Sequence, residues 1–186
     1  MRARSGDRLA VRSFVVAIGP HLLRVVRRVL GASHTDIEDA TQESALAVLD
    51  ALDRYRGECT VVHLACRVAL RTALKLRRRE LAQKRGTPNA VRVDPDAVAT
   101  TDPAPDSELD ARASAELVRE LVATLPEAQS EALAMHCVLG FTVAEIAEAG
   151  GLPVETIRSR LRLAKGALRS RLGENPRFAA MTREVG

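Results

Sequence analysis

The chain has 186 residues, enough for one or two small domains. Hydrophobic residues make up 46% of it and aromatic residues only 2%, so a core must be built from aliphatic side chains and alanine, which favours packed helices. The net charge of +4 is modest, no apolar stretch reads as long enough to span a bilayer, and three cysteines without a CxxC pair exclude a disulfide scaffold.

The N-terminal segment MRARSGDRLA is basic but leads into no continuous apolar signal core. Residues 7–17 read as a first helix and 20–30 as a second, with Leu22, Leu23, Val26 and Leu30 inward and Gly31 closing it. Thr35 and Glu38 have capping-box spacing and open a third helix, DIEDATQESALAVLDALDRY. Its apolar face is Ile37, Ala40, Ala45, Leu49 and Leu52. From Asp36 to Asp53 it holds six Asp/Glu and no Lys/Arg. Gly57 ends that segment, and Thr60 is placed to cap a fourth helix reaching about Leu81, with Val61, Leu64, Val68 and Leu76 inward. The run from Arg67 to Arg92 carries nine Lys/Arg against Glu80 alone. Such segregation predicts two different partners, one cationic and one anionic.

Residues 83–106 contain Pro88, Pro95, Pro103 and Pro105, several aspartates and no sustained period, the composition of a flexible linker. Helices resume near Ser107, run to about Thr124, restart at Pro126 and stop before Gly140. Thr142 and Glu145 form a further capping box, and Val143, Ile146 and Ala147 give the short helix behind it an apolar face. Gly150 and Gly151 break it, and Pro153 suits the start of the next helix. There Val154, Ile157, Leu161, Ala164, Leu168 and Leu172 recur at spacings of three and four. Arg158, Arg162, Lys165 and Arg169 form a second stripe. Like charges so close repel one another unless a polyanion meets them. Ala147, Gly151 and Ile157 fall where a helix-turn-helix needs a small residue, a turn residue and an apolar anchor, and the second helix of that motif lies in the DNA major groove. The expected fold is all-α: a helical domain at 1–82, a flexible linker at 83–106, a helix-turn-helix domain at 107–175 and a tail at 176–186.

Two other chemistries have candidate residues in the sequence. Cys59, His63 and Cys66 stand as C-x3-H-x2-C, but a closed zinc site needs a fourth ligand, which would have to be recruited from His34, His136 or Cys137. Cys66 is therefore expected to fill core, with no metal and no cofactor. The acids of the third helix lack a general-acid partner or a phosphate-cradling loop, so no catalytic residue is expected.

The segments DIEDATQESALAVLDALDRYRG and LPEAQSEALAMHCVLGFTVAEIAEAGGLPVETIRSRLRLAKGALRSRL resemble the second and fourth regions of bacterial sigma factors of the extracytoplasmic-function (ECF) type, in the family's order and with a linker between them. The resemblance implies a cytoplasmic, non-enzymatic protein, monomeric when free. It would bind core RNA polymerase and promoter DNA and have an anti-sigma factor as partner. Asp36, Glu38, Asp39, Gln42 and Glu43 match the helix that docks on the polymerase clamp. Tyr55 and Arg56 match the loop that captures a minus-10 base, and Arg67, Arg71, Lys75 and Arg78, with Arg77 and Arg79, match the helix that grips that element. Thr142, Glu155, Thr156, Arg158, Ser159, Arg162 and Lys165 belong to the match with the minus-35 reader. Departures exist: VVHLA stands where the family carries an aromatic FRAWL-like stretch, and Arg71 and Lys75 replace an asparagine and an aspartate. An atypical minus-10 sequence is expected. The rival reading is a stand-alone DNA-binding regulator that never touches polymerase.

Overall fold

The structure, a computed structural model, describes residues 8–57, 59–86 and 108–173. These form seven α-helices and no strand: α1 (Arg8–Leu30), α2 (Ile37–Arg54), α3 (Val61–Gly86), α4 (Glu108–Thr124), α5 (Glu127–Cys137), α6 (Val143–Gly150) and α7 (Val154–Gly173). The two expected N-terminal helices are one. Pro20 lies inside α1, where it removes a backbone hydrogen bond at a cost of about 3 kcal/mol. The stripe Ile18, Leu22, Val25, Val26, Val29 and Leu30 is buried against α2 and α3, and that packing carries the helix through the proline. By length and composition α1 is also apolar enough to cross a membrane, contrary to the reading of the sequence. The burial of this stripe gives its apolarity a core role.

The expected Thr35–Glu38 box does not form. Asp36 is the N-cap of α2 without a side-chain cap bond, and the Thr35 hydroxyl donates to Asp36 Oδ1 at 3.0 Å instead. The buried stripe of α2 is Ile37, Ala40, Ser44, Val48 and Leu52, while Ala45 and Leu49 lie at its edge. Ser44 takes a core position because its hydroxyl donates to the Ala40 carbonyl at 2.6 Å, leaving no unpaired polar group.

Thr60 caps α3 as expected, its Oγ1 accepting the His63 amide at 3.2 Å. The helix continues to Gly86, through the first four residues assigned to the linker; the rest of that linker and the tail lie outside the described residues. Its most buried residues are Ala65, Cys66, Ala69, Leu70, Ala73, Leu74 and Arg77, with Val61, Leu64, Val68 and Leu76 only half-buried. The shift has a simple cause. α3 is covered by α1 and α2 on one side and by α4 and α5 on another, so its buried arc is wider than one stripe.

In the C-terminal half α5 is the hub, touching α3, α4, α6 and α7. Six consecutive residues, Ser130 to Met135, are buried, so it has no solvent face over that stretch. Pro126 sits at its N-cap, one position before the expected one.

Replacing Leu22 with alanine should lower the unfolding free energy by about 2–5 kcal/mol, whereas Leu163→Ala, at a residue 52% exposed, should change it by less than about 0.5 kcal/mol. Urea denaturation followed by circular dichroism measures both. Equal losses would show that α1 is not a core helix.

Candidate nucleic-acid interface

The α6–turn–α7 unit is fixed by short-range bonds. Thr142 Oγ1 accepts the Glu145 amide at 3.2 Å, and a Glu145 carboxylate oxygen accepts the Thr142 amide at 2.8 Å, closing the capping box. The backbone and side-chain hydrogen bonds from Thr142 hold the Glu145 carboxyl below the usual range. Gly151 adopts φ 60°, a left-handed conformation that a side chain would strain, and its amide returns to the Ala147 and Glu148 carbonyls. The Leu152 amide also reaches the Ala147 carbonyl, at 2.9 Å. The turn therefore sets the angle at which α7 leaves.

In α7 Ile157, Leu161 and Ala164 are buried, and Arg158, Arg162, Lys165 and Arg169 are all exposed. With His136, Val143 and Leu161 these four cations line a shallow groove of about 380 Å³. Glu155 is the one acid within α7 and pairs with Arg158. Both partners are largely exposed, so the pair contributes at most about 1 kcal/mol, and a phosphate can replace it. Thr142 and Glu155 are exposed, and Thr156 and Ser159 half-buried.

On α2 Glu38, Asp39, Gln42 and Glu43 are exposed, and Asp36 is half-buried at the rim of the face.

The third predicted group is divided. The Tyr55 hydroxyl donates to the Cys59 carbonyl and closes the loop between α2 and α3. Arg56, Lys75 and Arg79 are exposed. Arg67, Arg71 and Arg78 instead meet the C-terminal half. Arg67 Nε donates to Glu131 Oε1 at 2.6 Å, and Arg71 reaches Oε2 of the same carboxylate at 2.9 Å. A second arm of Arg67 donates to the Ala149 carbonyl. Arg78 donates to the Ala123 carbonyl at 3.1 Å and to Ser130 Oγ at 2.6 Å. Arg77, read from the sequence as part of the DNA grip, is 3% exposed and belongs to the core. It reaches the Leu30 carbonyl at the end of α1, at 3.5 Å, and pairs with Glu116 and Glu120 of α4. Burial pushes the Glu116 carboxyl up, but the hydrogen bonds and charges of Arg77 and Arg119 outweigh it and hold the group below its usual range. Sequence reasoning missed Glu131 and Glu116. The available signal for Glu131 was an acid beside the apolar run ALAM, on a helix with no polar face to receive it.

Cys59, His63 and Cys66 do not converge. Cys66 is in the core, where burial raises its thiol pKa despite the opposing charge of Arg24. The His63 ring meets Phe141 edge-on with centroids 4.5 Å apart. Among the described residues, His34, Asp36 and Glu80 bring three potential ligand atoms within 4.8 Å of one another. The bonding of His34 opposes a cation there. Its Nδ1 accepts the Asp36 amide at 3.1 Å, so the neutral ring carries its proton on Nε2, which faces Glu80 Oε1 at 2.9 Å. That nitrogen has no lone pair to give a metal.

The geometry thus combines an exposed acidic helix with a helix-turn-helix bearing exposed cations, on a fold also found elsewhere. The sequence profile described as Sigma-70 region 2 matches residues 14–82, and that described as Sigma-70, region 4 matches residues 115–168. The chain belongs to the sigma-70 family, as a sigma factor of the ECF type. It is 27% identical over 177 residues to the ECF RNA polymerase sigma-E factor of Salmonella typhimurium, covering 90% of this chain and 88% of that one. It is 27% identical over 168 residues to the RNA polymerase sigma factor NccH of Alcaligenes xylosoxydans xylosoxydans, covering 90% and 89%. CnrH, solved in complex with the cytosolic domain of CnrY, has the same fold, with a TM-score of 0.55 over 94% of both chains at 21% identity. The sigma factor is a promoter-recognising initiation factor and not an enzyme. Its region 2 match takes in most of α1 to α3, and its region 4 match most of α4 to α7.

Because the folded pKa of Glu116 lies below its ordinary value of 4.5, its contribution is complete above that pH and is lost as pH falls through the lower folded value. Urea titrations across this acid window should show stability falling more steeply for the wild type than for Glu116→Gln. Parallel curves would mean that the Arg77–Glu116 contact adds nothing.

Proposed function

We propose that this ECF sigma factor divides its work among three surfaces. The α2 face made of Asp36, Glu38, Asp39, Gln42 and Glu43 docks on a basic surface of core RNA polymerase. The α2–α3 loop and α3 hold the opened minus-10 strand through Tyr55, Arg56, Arg67, Arg71, Lys75 and Arg78. The helix-turn-helix reads the minus-35 duplex, with Thr142 and Glu155 at its edges, Thr156 and Ser159 beside the groove, and Arg158, Arg162 and Lys165 facing the DNA. Residues 1–82 and 107–175 act as separate functional units joined by 83–106. CnrH was solved with a second protein bound, and a partner of that kind, an anti-sigma factor, completes the proposal. The chain works in the cytoplasm and is a monomer when free.

One observation carries this reading. α7 turns Ile157, Leu161 and Ala164 inward and leaves Arg158, Arg162, Lys165 and Arg169 facing solvent. Four like charges on neighbouring turns repel one another, and a phosphate backbone relieves that repulsion. Guanidinium groups on such a helix also reach guanine edges in the major groove. The acidic face of α2 supports polymerase docking in the same way, since exposed like charges suit a surface of opposite sign. The helix dipole alone favours Glu38 and Asp39 in the first turn, but not Glu43 a turn later.

Alanine at Arg158 or Arg162 should weaken binding to a minus-35 duplex by about 1–3 kcal/mol where the side chain reads a base, and lower the salt slope by about one unit where it holds a phosphate. A double variant with unchanged affinity and slope would remove α7 as the reader. Lysine at both Asp39 and Glu43 should abolish association with core polymerase in a pull-down while leaving the helical circular-dichroism signal intact. A holoenzyme of wild-type affinity from that variant would sink the α2 assignment.

A further inference from the structure

We propose that the free chain is closed by its own region 4. Glu131 of α5 occupies Arg67 and Arg71, so α5 must leave α3 before the minus-10 strand can bind. The inference rests on the assignment of those arginines made above. The residue Glu131 is 8% exposed, and both of its carboxylate oxygens are in use. Oε1 takes Arg67 Nε at 2.6 Å, and Oε2 takes Arg71 Nε at 3.1 Å and Nη2 at 2.9 Å. The remaining contacts of the same face are of the same kind: Arg67 to the Ala149 carbonyl, and Arg78 to the Ala123 carbonyl and the Ser130 hydroxyl. Three of the four α3 cations assigned to DNA are therefore bonded to α4, α5 and α6, and Lys75 alone is left to solvent.

These bonds are of a type that nucleic acid can replace. A carboxylate and a phosphate present similar paired acceptors to a guanidinium. The Arg71 side chain is 48% exposed, so an incoming phosphate can reach it without prior unfolding. The closure is also one-sided. The α7 stripe stays exposed while α3 is covered, so the closed chain offers its minus-35 reader and withholds its minus-10 grip. A tethered competitor lowers the apparent affinity of the covered site by the fraction of molecules that are open. Any surface that draws region 4 away, such as a polymerase docking both regions apart, releases the strand-binding face.

The test uses the full chain carrying Arg158→Ala and Arg162→Ala, so that α7 contributes less to binding of the probe. Fluorescence anisotropy measures binding of a dye-labelled single-stranded oligothymidylate, and small-angle scattering measures the radius of gyration. Glu131→Gln keeps the side-chain volume and removes the charge. It should enlarge the particle and raise affinity on the order of tenfold, and adding Arg67→Ala and Arg71→Ala should cancel the gain in affinity. Glu131→Asp keeps the charge but is too short to serve both arginines, and gives the same reading should the glutamine variant fail to fold. Unchanged size together with unchanged affinity overturns the closure. A larger particle with unchanged affinity leaves the closure standing and overturns the minus-10 assignment instead. With Arg158 and Arg162 intact, duplex minus-35 binding should not respond to Glu131→Gln; a parallel gain there would show a general change of charge and overturn the closure.

Discussion

A carboxylate on a helix with no solvent face must be paired, and Glu131 is that carboxylate. Leaving an ion unpaired in a protein interior costs several kcal/mol, so α5 can be buried this deeply only where cations reach it. Arg67 and Arg71 lie one turn apart on α3 and supply them from 60 or more residues away in sequence. α5 in turn packs on α7 and α6, so the orientation of the helix-turn-helix relative to α1–α3 follows from where that one acid finds its partners.

The arginines show how one residue type acquires different work from its surroundings. Arg158, Arg162 and Arg169 of α7 are exposed to water. Arg77 meets none, being enclosed between the end of α1, α3 and α4, where it neutralises a helix C-terminus through the Leu30 carbonyl and two acids through its other arm. Its Nε has no partner, a local cost offset by the charged contacts around it. Arg67, Arg71 and Arg78 stand between these extremes, half-covered by polar contacts. In the sequence Arg67, Arg71, Arg77 and Arg78 are all members of one basic run.

What could be read in advance was what is encoded locally. The capping box of α6, the left-handed glycine after it, the basic stripe of α7 and the middle of its apolar stripe depend on residues three or four apart and were legible, although Val154 at the start of that stripe is exposed. So was the cap of α3 by Thr60. The Thr35–Glu38 box is a local reading that does not form; the other errors share a cause, which is burial decided by a distant neighbour. Pro20 argued for a break, but the packing of α1 on α2 and α3 outweighs it. Apolarity pointed to Ala45 and Leu49, whereas Ser44 and Val48 hold the inward register. Val61, Leu64 and Val68 formed a plausible stripe on α3, yet the alanines of the adjoining arc are the buried ones, since their small side chains let helices approach from two sides. The role of Glu131 was illegible for the same reason. Its partners are 60 and 64 residues away, and no period connects them.

The shortage of aromatic residues bears on the strand grip proposed for this sigma factor. Stacking on an aromatic ring is worth about 1–3 kcal/mol per base, and here the loop between α2 and α3 offers Tyr55, whose hydroxyl is already committed to the Cys59 carbonyl. His63 stands in the VVHLA stretch, where the family carries aromatics, and its ring rests edge-on against Phe141 of the C-terminal half. The contact lies on the same junction as Arg67 and Glu131. In the closure proposed above, separation of the two halves would free a flat ring as well as two guanidinium planes, and guanidinium also stacks on bases. A strand-binding face built from arginine planes and one imidazole depends more on charge than one built from tryptophan and phenylalanine. An internal carboxylate is correspondingly a more effective competitor for it.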